Sequence, residues 1–180
     1  MRKISNFILS AIVFAFMCSI AQAGHSMIDT TLGNLRIELH VLPAEPFFTK
    51  NETTTGKVTK GMLIIGGEKP LALNAETHPN HHLVIHVFNV KTGKANTNAK
   101  VKMGFQSLDS TGKALGNLID VPVVVMQAIG KGAQSTHYGN NVVMADGQYL
   151  VSVVVNGKKA NLKINASSAP DASMEEMHMH

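Results

Sequence analysis

The sequence predicts an all-β domain, an immunoglobulin-like antiparallel β-sandwich of about eight strands. Three observations carry that expectation. From Leu35 onward the apolar residues recur with period two in short runs rich in valine and isoleucine, the spacing of half-buried strands. The runs are bounded by Gly, Asn, Asp and Lys, with turns at Thr92-Gly93-Lys94 and Thr111-Gly112-Lys113. No stretch keeps a helical period for more than about two turns.

Taken in order, the predicted strands are residues 35–42, 61–65, 82–89, 100–108, 121–128, 141–144, 148–156 and 159–165. The last two flank Asn156-Gly157, the preferred centre of a two-residue type I′ loop, and are expected to pair antiparallel. Residues 24–32 read as a polar arm, 74–80 as a loop carrying His78, and 166–180 as a flexible tail of Ser, Ala, Met and His. The folded domain is therefore expected over 24–165.

The start of the chain reads as an export signal. Arg2 and Lys3 precede an almost wholly apolar run from Phe7 to Ile20, and Ala21-Gln22-Ala23 supplies the small residues a signal peptidase reads. Residues 1–23 are expected to be removed. The run is shorter than the roughly 20 residues of a membrane-spanning helix, so the exported product is expected to be soluble. Cys18, preceded by the bulky Met17, lacks the small residue a lipid-attachment site wants. It is the only cysteine and leaves with the signal. A cysteine-free exported domain fits a bacterial periplasm.

Composition excludes several function classes. With Arg2 and Lys3 gone, the formal charge falls from +4 to +2, and the remaining lysines are scattered with no tryptophan and few aromatics beside them. Nothing here tracks phosphates or stacks bases, so no nucleic-acid partner is expected. There is no Gly-x-Ser-x-Gly elbow, no thiolate and no paired acids in a glycosidase-like setting. The chain is read as a non-enzyme.

What stands out is nine histidines and ten methionines. Residues two apart on a strand share a face, so Glu38 and His40 project together, opposite Leu39 and Val41. By the same rule His82 and His86 share a face with Val84 and Phe88. Met126 ends the run Val123-Val124-Val125, His137 opens His137-Tyr138-Gly139-Asn140-Asn141, and Met103 lies on a strand with Val101 and Phe105. Imidazole suits Cu, Zn, Fe and Ni, thioether suits Cu(I), and an added carboxylate extends a site toward Fe and Cu(II). The candidate metal ligands are Glu38, His40, His82, His86, Met126 and His137, with copper the leading ion and iron the alternative. For any one of these residues the plain alternative is a hydrogen-bonded histidine or a space-filling methionine. Met174-Glu175-Glu176-Met177-His178-Met179-His180 forms a second group of soft donors or else a solvated terminus, and His25 would stand second in the processed chain, where the free amine, the His25 peptide nitrogen and its ring can chelate Cu(II).

The segment from Met126 to His137-Tyr138-Gly139-Asn140-Asn141-Val142, followed by Asp146-Gly147-Gln148-Tyr149, resembles the methionine, His-Tyr-Gly and Gly-x-Tyr text of periplasmic iron-transport proteins of the P19/Tp34 type. Glu38-Leu39-His40 resembles that family's early histidine–carboxylate pair in altered order. A looser resemblance, through His86 to Met103, is to YtkA-like immunoglobulin-fold domains. The first resemblance implies a sandwich that binds copper through Met126 and His137, joined by His40 and Glu38. It also implies a homodimer that assists iron uptake through a membrane permease. The expected function is thus a periplasmic carrier or buffer of copper, or of iron with copper, for a membrane transporter or metal-maturation partner. The rival is an immunoglobulin-like interaction module that grips another exported protein without metal.

Overall fold

Alternation along the chain resolves into two packed sheets. The computed structural model describes residues 26–54, 56, 58–71 and 78–168. The predicted signal and its cut site, His25, the early part of the 74–80 loop and the Met/His tail from 169 onward lie outside the described residues.

Eleven strands are present among the described residues: β1 (Ser26–Leu32), β2 (Leu35–Pro43), β3 (Phe47–Phe48), β4 (Met62–Gly67), β5 (His81–Asn89), β6 (Val101–Leu108), β7 (Ala114–Val121), β8 (Val124–Ala128), β9 (His137–Val142), β10 (Gly147–Val155) and β11 (Lys158–Ala166). The larger sheet runs β1, β2, β5, β9, β8, β4, β3 and the smaller runs β11, β10, β6, β7. Neighbours are antiparallel except β3 and β4, which run parallel. A short helix, α1 (Lys50–Thr54), makes that crossover. Its start is capped by the Thr49 amide and hydroxyl, both donating to the Glu52 carboxylate at 2.7 Å. The all-β sandwich expected from the sequence is what forms.

Period two explains which residues meet between the sheets. Leu35, Ile37, Leu39 and Val41 of β2 face inward, as do Leu83, Ile85 and Val87 of β5, against Met103 and Phe105 of β6, Val151 and Val153 of β10 and Leu162 of β11. Each fully buried side chain of this kind contributes roughly 1.5–3 kcal/mol. Met103 belongs to this core and not to the histidine face, which corrects its place among the soft donors. Asn156 and Gly157 both take positive φ, 51° and 81°, and join β10 to β11 with Val155 opposite Lys158. This is the predicted type I′ hairpin.

Three differences from the sequence expectation have physical causes. The "polar arm" is the edge strand β1, whose Ile28 and Leu32 pack against the core while Met27, Asp29 and Thr31 face out. Its signal was Gly33-Asn34, a two-residue turn that sets Leu32 opposite Leu35. Residues 121–128 are not one strand but the end of β7 and all of β8. Pro122 removes a ladder donor where the chain crosses from the smaller sheet to the larger. The rest of β7 is exposed on every residue but its last, so no inward face imposes an alternation.

The Gly-x-Tyr text has a structural role. Tyr149, near the start of β10, donates its hydroxyl to the Ala145 carbonyl at 2.9 Å, the corner that ties adjoining strands in Greek-key sandwiches. Tyr149→Phe is expected to cost about 1 kcal/mol, read as a lowered urea midpoint at unchanged slope. An unshifted midpoint would deny the corner that role.

Candidate metal centre

The candidate ligands sit on the outer face of the larger sheet, away from the core. Strand register aligns them. Glu38 stands opposite His86, His86 opposite His137, and His137 opposite Met126, one straight row across β2, β5, β9 and β8. Directly opposed residues have Cβ atoms about 4.5–5.5 Å apart, so the row is about three strand spacings long. No single ion spans it. The imidazoles narrow the choice: ring centroids are 5.2 Å apart for His40 and His86, 5.1 Å for His86 and His137, and 5.6 Å for His82 and His137. Four rings form a chain His40, His86, His137, His82.

His82 and His137 belong to different rows, because His82 is opposite Asn141. Their rings meet by leaning toward each other along the strands. The positions between them are Val84 and, opposite it, Gly139. A Cβ at Gly139 would fall on the Leu83 carbonyl oxygen and lie 2.8 Å from the Val84 Cα. Only glycine lets β9 approach β5 this closely.

Hydrogen bonding fixes the tautomers at the buried end. The Asn141 Nδ2 donates to the Glu45 carbonyl at 2.8 Å, and its Oδ1 accepts from the Glu45 amide at 3.2 Å. That oxygen is 3.0 Å from His82 Nδ1, so the histidine must donate through Nδ1. His137 Nδ1 is 2.8 Å from the Ser135 carbonyl and must donate as well. In both rings Nε2 is left with a bare lone pair. Both Nε2 atoms are buried with no hydrogen-bond partner. A buried acceptor left this way costs about 1–3 kcal/mol, and a ring held through its other nitrogen by a carbonyl is how ligating histidines are oriented. The His86 ring is likewise held by the Thr136 backbone carbonyl.

The other candidates divide between the two ends. Glu38 accepts a salt bridge from Arg36 (2.6 Å) and stands 3.9 Å from His40 Nε2, at the partly exposed end. Met126 is wholly buried among Val84, Val124, Phe47, Met62 and Ile64, a setting that packing alone would also produce. As the side chains stand, no three of His, Asp or Glu among the described residues converge as a metal-binding group. His81 faces inward and is buried, opposite Pro43 and Val142, outside the chain of rings.

The sequence did not point to Asn141, Ser135, Thr136 or Phe47. Asn141 had a signal, an amide opening a predicted strand directly after His137-Tyr138-Gly139-Asn140. The carbonyls of Ser135 and Thr136 come from the 3-10 turn Ala133–Ser135 and the residue after it, and their role appears only once the turn is folded.

Burial favours the neutral form of the His82, His86 and His137 rings. Burial, then the nearby His137, lower His82 from 6.5 to about 4, against the opposing bond to Asn141. Burial, then His137 and His40, lower His86 to about 3, with the Thr136 carbonyl opposing. Burial lowers His137 too, against its bond to Ser135. Between pH 6.5 and about 4 the unfolded chain therefore binds protons that the folded one refuses. Stability is expected to fall as pH drops through that window, by up to about 1.4 kcal/mol per pH unit for each of His82 and His86, with His137 adding in the same direction. Urea midpoints of metal-free protein at pH 7, 6 and 5 check this; a flat profile would contradict it.

Comparison with protein-family models, curated proteins and solved structures found no match.

Proposed function

We propose that this chain is an exported, periplasmic metal-binding protein that carries or buffers copper, or iron together with copper, for a membrane transporter or maturation partner. One observation carries the reading: the Nε2 lone pairs of His82 and His137, buried, unpartnered and oriented by fixed tautomers, with His86 on the far side of His137 and His40 beyond it. A sandwich gains nothing in stability from two such lone pairs, whereas a soft or borderline metal ion satisfies both. Imidazole with a neighbouring thioether and no thiolate favours copper. Iron enters through Glu38 and through the resemblance to the P19/Tp34-type proteins. Elemental analysis of protein purified without chelators from its native compartment tests the reading. Copper near stoichiometry is the expected result, and absence of any transition metal, with none taken up on titration, would sink it.

The second reading, an interaction module, has its own observation. Strand β7 is an open edge that exposes Leu115, Leu118 and Ile119 by about half. Such an edge templates pairing with another chain, a homodimer included. A partner, or a second copy, that stays bound through chelator treatment favours this reading. No helix among the described residues is long and apolar enough to cross a membrane.

A further inference from the structure

The histidine chain has a continuation at the open edge of the sheet. Met27 of β1 stands opposite His40 of β2 in the register, on the outer face, and is 60% exposed. From there the donors step inward across five adjacent strands: Met27, His40, His86, His137 and Met126 on β1, β2, β5, β9 and β8. Met27 is exposed, His40 and His86 are half-buried, and His137 and Met126 are buried. A methionine this exposed contributes little to packing, and on an edge strand a charged residue is the usual occupant.

We propose that Met27 is the first contact for Cu(I), taking the ion at the sheet edge and passing it to His40 and the buried imidazoles. The proposal rests on the reading of the histidine cluster as a copper site. Its chemistry is ligand exchange without change of oxidation state: a thioether–Cu(I) bond forms as the donor's bond breaks, and the imidazole nitrogens then replace the thioether. A neutral thioether binds Cu(I) but offers little to Zn(II), so Met27 adds selectivity at the point of arrival. Because the ion ends on the histidines, Met27 governs the rate of loading and not the final affinity.

The test is Cu(I) transfer from its bicinchoninate complex to the processed protein, residues 24–180, under anaerobic conditions, read as loss of the chelate colour. Met27→Leu keeps size and apolarity and removes the sulfur. It is expected to slow transfer about tenfold, at the lower end of what losing a group beside a metal site does, while the equilibrium position and the rate of Zn(II) uptake stay at parental values. Met27→His, which restores a copper donor at the edge, is expected to recover the rate. Parental Cu(I) rates in Met27→Leu, equal slowing of Zn(II), or failure of Met27→His to recover would each overturn the role of Met27 and leave the histidine site standing. A parent chain that takes no Cu(I) at all would remove the site and, with it, the proposal.

Discussion

Replacing His137 with leucine is expected to lower copper affinity by more than about 100-fold, beyond the 10–100-fold that losing a mere orienting partner costs. His137 is the hinge of the cluster: its ring lies 5.1 Å from His86 and 5.6 Å from His82, so its removal separates the two. Stability should respond in the opposite sense from an ordinary core substitution. Leucine forfeits the bond to Ser135, worth about 1 kcal/mol, and also removes a buried lone pair that costs about 1–3 kcal/mol. Metal-free His137→Leu is therefore expected within about 1 kcal/mol of the parent, or above it. The parent's rise in melting temperature on adding copper, which mass action requires of any ligand specific for the folded state, should vanish. Calorimetric titration and melting with and without copper measure both. A variant that loses several kcal/mol and still binds copper like the parent would show that His137 is only a packing residue.

Gly139→Val should be the most damaging single change for the fold. The first added carbon falls on the Leu83 carbonyl oxygen, 2.8 Å from the Val84 Cα and 2.9 Å from its Cγ1. Two of those contacts are backbone and cannot swing aside. Relief requires β9 to move off β5, with loss of ladder bonds at the centre of the larger sheet. About 3 kcal/mol or more is expected, at or above the upper range for overpacking. Amide exchange should quicken first along the β5–β9 pairs. Because the same shift parts His86 from His137, metal affinity should fall with stability. Parental stability and exchange in Gly139→Val would mean that the close approach is not required.

The sequence made the sandwich legible wherever one strand face met the core. In β2 the alternation of Leu35, Ile37, Leu39 and Val41 with Arg36, Glu38 and His40 placed every side chain correctly, and in β5 it put His82 and His86 together on the face away from Leu83 and Ile85. It was silent where burial imposes no pattern. Strand β7 has almost no buried side, and β9 is buried throughout, so His137-Tyr138-Gly139-Asn140 fell outside the predicted strand, which began only at Asn141. The site was legible as a set of residues and not as an arrangement. That His86 faces His137 depends on β5 pairing with β9 across roughly fifty residues of chain, and local spacing carries no register between distant strands. The tautomers were further still from view, because Asn141 is oriented by the Glu45 backbone, which reaches it from another part of the chain.

The position of the imidazoles outside the sandwich has a consequence for how such a protein can change. The proposed ligands and the core draw on alternate residues of the same strands, so the two sets are physically separate although interleaved in sequence. A histidine can become aspartate, methionine or leucine without altering the seam between the sheets, and a core leucine can be exchanged without touching a donor atom. The outer-face residues can therefore be exchanged with little cost to the core. The same scaffold can host a succession of coordination chemistries, or none, while its backbone ladders stay as they are. Gly139 is an exception, a position where the outer face and the strand packing are a single constraint.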